Sequence, residues 1–500
     1  MPIIRLHSGL ANIDHSIMYK KLPFCIFAVL LVCFASTLAF ATEYNKEIAT
    51  TIVDLPVHFK NVKTIRTIDL RSTVVREDIG IRAENIDSQP QTEYYVPLPE
   101  EYDNKVAHFT ATLKSTSKEV LPVEKLGFDS TRKIQIYKIT FPEPVAPGST
   151  VAFGIKFATT KSLTPNPETI PQVARQHVEY TNNMFVYSLY VVEDSKTTVV
   201  LPPNGNVVTF TETSESFSRS GNKIIYGPYH HIDPLVYSEM HIHYEQSQPL
   251  LTVTNLVRDI QVSHMGGNLA VEERYPLRHD GARLEKQFSR VEFQQSAGVH
   301  DHTNVLKQLS FQLPASARDV YYRDDIGNVS TSHVRSQVGS TLLEITPRYP
   351  LFGGWNYTWF HGYNADLGEF LHYNKRAGRY ILNLKLVENA KKMSFEHVKL
   401  NVVLPEGATD VQVEAPFDFD GVTHSKHFTN LDTTGRYQLT LDKSNVVSEH
   451  EDFIQISYKF SSTHHLQKPL AACAAFFTIF MTSILISKVK FTIGVTQVRI

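Results

Sequence analysis

The chain has 500 residues, with 49 lysines and arginines against 51 aspartates and glutamates, for a net charge of −2. That length holds several compact domains. The balanced charge excludes the basic surface a nucleic-acid binder needs to displace counterions from phosphates. Hydrophobic residues make up 42% and charged residues 20%, an ordinary globular balance, and abundant Val, Thr, Tyr and Phe tilt it toward strands.

At the N-terminus Lys20-Lys21 precede LPFCIFAVLLVCFASTLAF, and Ala39-Phe40-Ala41 has the small-x-small form of a signal-peptidase site. This predicts a signal peptide over 1–41, cleaved after Ala41. A start at Met18 would give it ordinary length, making 1–17 a gene-model extension. An uncleaved anchor is the alternative, disfavoured by Pro23 and the cleavage pattern.

Strand-like runs follow: TIRTIDLRSTVVRED, KIQIYKITF, STVAFGIKF, MFVYSLYVV, KTTVVL, YILNLKLV, VKLNVVL and DFIQISYKF. APGS, PPNGN, HDGA and PEGA supply turns between them. Four runs end in Leu-Pro, at Leu98-Pro99, Leu201-Pro202, Leu313-Pro314 and Leu404-Pro405, since proline cannot donate to a ladder. Two stops in each half hint at two similar β domains. The expected fold is mainly β: two tandem β-sandwich-like domains, 42–248 and 249–467, divided near Ser247-Gln248-Pro249. The Pro/Thr-rich stretch 159–172 reads as a long surface loop.

Candidate chemistry is sparse. Asp324 and Asp325 are adjacent, so on extended chain they point to opposite faces; a turn over Asp325–Asn328, with Gly327 free to take positive φ, explains them better than a paired active site. Asn328-Val329-Ser330 and Asn356-Tyr357-Thr358 are N-glycosylation sequons. In the second, Trp355, Tyr357 and Trp359 share one strand face. Asp418-Phe419-Asp420-Gly421 matches an Asp-x-Asp pattern used by some metal-dependent glycosyltransferases, but also reads as strand and hairpin turn. His241-Ile242-His243 and His300-Asp301-His302 lack an identifiable third ligand. No phosphate loop, nucleophile elbow or His-Glu-x-x-His appears. Cys25, Cys33 and Cys473 fall in the leader and the C-terminal apolar stretch, leaving the body between them without disulfides or thiol chemistry. No catalytic residue, metal site or cofactor is expected.

Near the C-terminus, PLAACAAFFTIFMTSILIS lies between Lys468 and Lys488, enough to span a bilayer as a helix over 469–487. Lys488, Lys490 and Arg499 follow with no acid, which puts 488–500 in the cytosol and makes a single-pass type I protein.

Seven stretches resemble the ribophorin I family: YGPYHHIDP (226–234), SQPLLTVT (247–254), VSHMGGNLAVEE (262–273), FSRVEFQ (288–294), DVYYRDDIGNVSTSH (319–333), PRYPLFGGWNYTWFHGYN (347–364) and LPEGATDVQVEAPF (404–417). The resemblance implies a non-catalytic subunit of the oligosaccharyltransferase complex, resident in the endoplasmic reticulum membrane with most of the chain lumenal. It implies as partners the other subunits, including the catalytic one, nascent polypeptides and the bilayer, but no nucleic acid. The family's catalyst is a separate multi-spanning subunit with a WWDYG motif, and this chain has neither. Its short tail is similar to the fungal form. Two other readings stand beside it: a glycosyltransferase using Asp418 and Asp420, and a single-span adhesion or receptor ectodomain.

Overall fold

The structure, a computed structural model, describes residues 55–489 except 115–118, 204, 214–216, 297–302, 430, 431 and 433. The expected cleavage site at Ala41, the pair His300 and His302, and the tail beyond 489 lie outside the described residues. Strict alternation builds the sheets. Along Val75–Asn85 and Asn268–His279 every second side chain is buried, because a period of two turns one face of a strand to the core.

Two eight-stranded sheets dominate. The first runs in the order Phe217–Ser220, Lys223–Ile232, Val192–Val200, Phe59–Asp69, Val75–Asn85, Thr150–Thr159, Val106–Leu113, Val120–Leu121. The second runs Gly421–His427, Arg436–Val446, Met393–Glu406, Leu251–Ser263, Asn268–His279, Asn356–Asp366, Arg318–Asp324, Gly327–Asn328. Position by position these are the same topology. Each opens on a central strand, pairs it antiparallel with the next strand in the chain, and later lays a parallel strand on its other side (Phe59–Asp69 on Val192–Val200, Leu251–Ser263 on Met393–Glu406). The covering sheets repeat as well. The three-stranded sheet Gln91–Pro99, Ile134–Val145, Val123–Asp129 matches Leu309–Leu313, Ser340–Ile345, His333–Gln337, and each half has one four-stranded sheet of equivalent order. The Leu-Pro pairs mark this duplication: Leu98-Pro99 and Leu313-Pro314 stand at the ends of equivalent strands, and Leu201-Pro202 and Leu404-Pro405 fall within two residues of the ends of another equivalent pair.

Three expectations need correction. TIRTIDLRSTVVRED is two strands joined at 70–74, not one. MFVYSLYVV is almost entirely irregular, reaching a strand only at Val192. Its β-like composition serves burial instead, with Met184, Val186, Leu189 and Tyr190 all in the core. The stretch 159–172 is not a bare surface loop: Leu163 and Ile170 are buried, and Thr169–Ile170 pairs parallel with Arg283–Leu284, stitching the halves together.

Each half centres on a buried ion pair between its first two strands. Arg66 meets Glu77 at 2.7 Å, and Arg258 approaches Glu273 at 2.6 Å. The two arginines are equivalent: in the parallel register Arg66 faces Thr197 and Arg258 faces Leu400, each four residues before a Leu-Pro stop. Around Arg258, Tyr275, Trp359 and His361 stack, Tyr275 to Trp359 at 4.9 Å and 4°.

The halves also meet through Arg76–Glu449 (2.6 Å), Lys161–Glu396 (2.9 Å) and a ring contact of His108 with His450 (5.3 Å). Burial, reinforced by the neighbouring His108 and Lys443, pushes the His450 pKa down to about 3. The unfolded imidazole titrates near the ordinary value, so the unfolded chain takes up the proton first as pH falls. This contribution is whole above about pH 6.5 and is lost as pH falls toward 3, on the order of 3 kcal/mol at pH 4. Burial lowers His108, His279 and His361 in the same direction. His450→Gln is therefore expected to shrink, without abolishing, the fall in melting temperature between pH 7 and pH 4. An unchanged profile would remove His450 from the account.

Candidate functional site

The residues singled out in Tyr321–Val334 resolve into a hairpin at the edge of the second large sheet. Arg318–Asp324 turns through Asp325 and Ile326 into Gly327–Asn328, with Asp324 opposite Gly327. The turn thus sits one residue earlier than the spacing predicts. Gly327 has φ +139, where an L side chain would be strained. The two acids part as geometry requires: Asp325 is exposed, and Asp324 is 5% exposed. Asp324 accepts amide hydrogen bonds from Ile326 and Gly327, both at 3.0 Å, and pairs with Arg348. Hydrogen bonding to Arg348, against the opposing effect of burial, holds its carboxyl below the usual range. Arg348 also donates to the carbonyls of Gly327 and Asn328, so Asp324 and Arg348 set the hairpin that presents Asn328. Asn328 is exposed beside buried Val329.

Asn356 is exposed at the start of Asn356–Asp366, while Tyr357 and Trp359 point into the core. The expected aromatic face is there for these two, with Trp355 only half-buried.

The Asp-x-Asp segment is not on a strand, and Asp420-Gly421 is not a hairpin turn. Gly421 opens the edge strand Gly421–His427, whose partner Arg436–Val446 begins only after an intervening loop. The Asp420 carboxylate accepts from the Ser444 amide at 2.6 Å, and the Asp418 carbonyl accepts from Lys443 at 2.5 Å. His241 faces Glu179 at 3.3 Å and His243 reaches the Asn166 carbonyl at 2.8 Å, each already partnered. Among the described residues no group of three or more His, Cys, Asp or Glu is placed to hold a metal ion.

Gln467–Lys488 forms a 22-residue helix with no buried residue. At 1.5 Å per residue it is about 33 Å long, matching a bilayer's hydrocarbon core. Three of its hydroxyls are satisfied internally: Thr478, Thr482 and Ser487 donate to carbonyls about one turn back, the first and last at 2.7 and 2.8 Å, as suits a lipid-facing helix. At its start Lys468 pairs with Asp432 at 2.5 Å, and the His464 ring packs where a Cβ at Gly407 would stand. Burial raises Asp432, but Lys468 and Thr429 outweigh it and bring the pKa down to about 2.

A duplicated β body on one exposed apolar helix defines a mainly β, membrane-anchored protein. Residues 59–487 match the Ribophorin I family. The chain is 34% identical over 437 residues to "Dolichyl-diphosphooligosaccharide--protein glycosyltransferase subunit 1" of Caenorhabditis elegans, covering 87% of this chain and 73% of that protein. It is 34% identical over 465 residues to subunit 1B of Arabidopsis thaliana, covering 92% and 96%. The chain belongs to the ribophorin I family. A backbone likeness to native yeast LTA4 hydrolase, at TM-score 0.25 and 9% identity over 40% of this chain and 31% of that one, is too slight to indicate a shared fold.

Proposed function

We propose that this protein is a non-catalytic subunit of the oligosaccharyltransferase, the complex that transfers an oligosaccharide from dolichyl diphosphate to Asn-x-Ser/Thr of nascent polypeptides. The observation that carries this reading is a family match running from the first strand to the end of the apolar helix, with relatives named as subunit 1 of that transferase. The engagement of Asp420 and of the His241 and His243 side chains with their own chain supports a structural or substrate-presenting role. On this reading the signal peptide is removed after Ala41, residues 42–248 and 249–467 are two lumenal domains, and 488–500 is cytosolic. The membrane is that of the endoplasmic reticulum, and the partners are the catalytic and other subunits and the nascent chain.

Affinity purification from the native membrane is expected to recover a multi-spanning catalytic subunit, and depletion to lower sequon occupancy on secretory proteins. Full occupancy after depletion would refute the proposal. Asn328 and Asn356 are proposed acceptors of the same reaction. Asn328→Gln and Asn356→Gln are each expected to remove one glycan's worth of endoglycosidase-H-sensitive mobility on a gel. A variant that migrates unchanged marks its sequon as unused.

A further inference from the structure

The outer face of the second large sheet carries a hydrogen-bonded polar ladder that opens onto a trough at a glycine, where its polar counterpart in the first half has a lysine. In register across six strands stand Thr440, Asn401, Asp259, Glu272, Gly362 and Tyr321. At about 4.8 Å per strand the row is roughly 24 Å wide. Its members are pre-oriented by each other: Thr440 donates to Asn401 at 2.8 Å, Asn401 to Asp259 at 2.8 Å, and Tyr321 to Glu272 at 2.5 Å. Tyr321 reaches Glu272 by passing over Gly362, where a Cβ would collide with the phenol ring. A neighbouring row of Gln438, Val403, Gln261, Ala270 and Asn364 runs alongside. Members of both rows, among them Asp259, Glu272, Gln261 and Asn364, line with His427 a trough of about 490 Å³, within the range of small-molecule sites.

We propose that this trough binds a neutral oligosaccharide. Sugars present vicinal hydroxyls that both donate and accept, and carboxylates and carboxamides answer them with paired acceptors and donors. Asp259, Glu272, Gln261, Asn364 and Gln438 supply five such groups, and ladder bonds hold Asp259 and Glu272 in place before any ligand arrives, which limits the ordering cost. Tyr321 walls the trough with an apolar ring body and a polar tip, suited to the C–H face of a pyranose. Arg323 lies 5.4 Å from that ring's centroid. No lysine or arginine lines the trough, and His427 is the one basic side chain in it, beside the carboxylates of Asp259 and Glu272, so phosphate, sulfate and acidic peptides find no fixed counter-charge.

The duplication provides an internal control. The equivalent row of the first sheet is Thr198, Thr67, Asp78, Lys156 and Thr110. There Lys156 occupies the place of Gly362 and pairs with Asp78 at 3.6 Å, leaving no opening for a tyrosine to cross. The inference rests on this geometry alone, so its failure leaves the proposed membership of the transferase complex untouched.

The test uses the full chain in detergent with a fluorescently labelled high-mannose oligosaccharide. The same glycan is also presented on an Asn-linked glycopeptide and on dolichyl diphosphate, beside a heparin oligosaccharide and a basic peptide. Saturable binding with a Kd of about 1 mM or tighter is expected for the free glycan and the glycopeptide alike, with no gain from the diphosphate and none for heparin. Tyr321→Ala and Gln261→Ala should each weaken it at least tenfold at unchanged melting temperature, and Gly362→Ala, which displaces the Tyr321 ring, should weaken it at least as much. Should Gly362→Ala fail to fold, the exposed Gln261→Ala still decides. Lys156→Ala should change nothing. The proposal is overturned by no saturable glycan binding, by affinities indifferent to all three trough variants, by tighter binding of the diphosphate form, or by a basic peptide that competes for the trough.

Discussion

Arg258→Ala is expected to destabilise the second half of the body by about 3–5 kcal/mol, the usual consequence of removing one partner from a buried ion pair. Arg258 is 2% exposed and Glu273 3% exposed. The guanidinium also donates to the Lys385 carbonyl at 2.5 Å and meets Glu388 at 2.6 Å. Its Nε approaches Glu273 at 2.6 Å without hydrogen-bond alignment, so the contact is mainly one of charge. Burial works against the charge on Arg258, but Glu388 and Glu273 outweigh it and keep the guanidinium ionised. Truncation leaves Glu273 buried beside Tyr275 and His361 with no cation. Burial would raise Glu273, but Arg258, with a hydrogen bond from the Tyr275 hydroxyl, holds it below its ordinary value. That stabilisation is present above the ordinary carboxylate pKa and fades as pH falls through the folded one. The double variant Arg258→Met/Glu273→Gln should recover much of the loss, because no buried charge is then left unpaired at that contact. Thermal unfolding of the full chain, followed with limited proteolysis to assign the transition, measures it. A loss below about 1 kcal/mol for Arg258→Ala would show that the site is hydrated or readily rearranged.

Truncation before Gln467 is expected to move the protein completely from the alkaline-carbonate pellet to the supernatant. The helix from Gln467 to Lys488 is the one candidate span among the described residues, and insertion of such a helix is effectively irreversible. A milder change separates spanning from surface attachment. Ile479→Arg, near mid-helix, costs about 2.5–3.5 kcal/mol on insertion scales. It should yield a partly extractable population, whereas Lys488→Ala should leave the protein in the pellet. Retention of the truncated body in the pellet would place the anchor elsewhere.

The parts of this fold that could be read in the sequence are those governed by local chemistry. Period-two alternation marked strands such as Ile134–Val145, Thr150–Thr159 and Met393–Glu406, and uncharged length marked the helix. Leu-Pro stops pointed to the duplication because a proline that closes a strand leaves the same mark in both copies. MFVYSLYVV misled because composition reports burial as readily as extension. Met184 and Tyr190 are buried without a ladder to join. The Asp-x-Asp segment misled because an acid-glycine pair signals a turn only when both flanking strands are neighbours. The polar ladder was illegible in principle. Tyr321, Gly362, Glu272, Asp259 and Asn401 come from five strands, and only register aligns them. The sole local clue was a glycine inside the apolar run of WNYTWFHGYN, where strand glycine marks close approach by another group.

The duplication bears on how the chain is made. Among the described residues, every strand of the first large sheet and its covering sheets lies within Phe59–Glu245, and only Thr169–Ile170 waits for a strand partner, Arg283–Leu284, from beyond it. The parallel pairing of Phe59–Asp69 with Val192–Val200 needs nearly the whole half in hand, and such distant pairings form slowly. During vectorial synthesis the first half can close its sheets while the second is still being elongated. The stitch at Arg283–Leu284, and the Arg76–Glu449 bridge after it, would then dock a new half onto a finished one. Pulse-labelled chains released at about residue 260 should already resist protease.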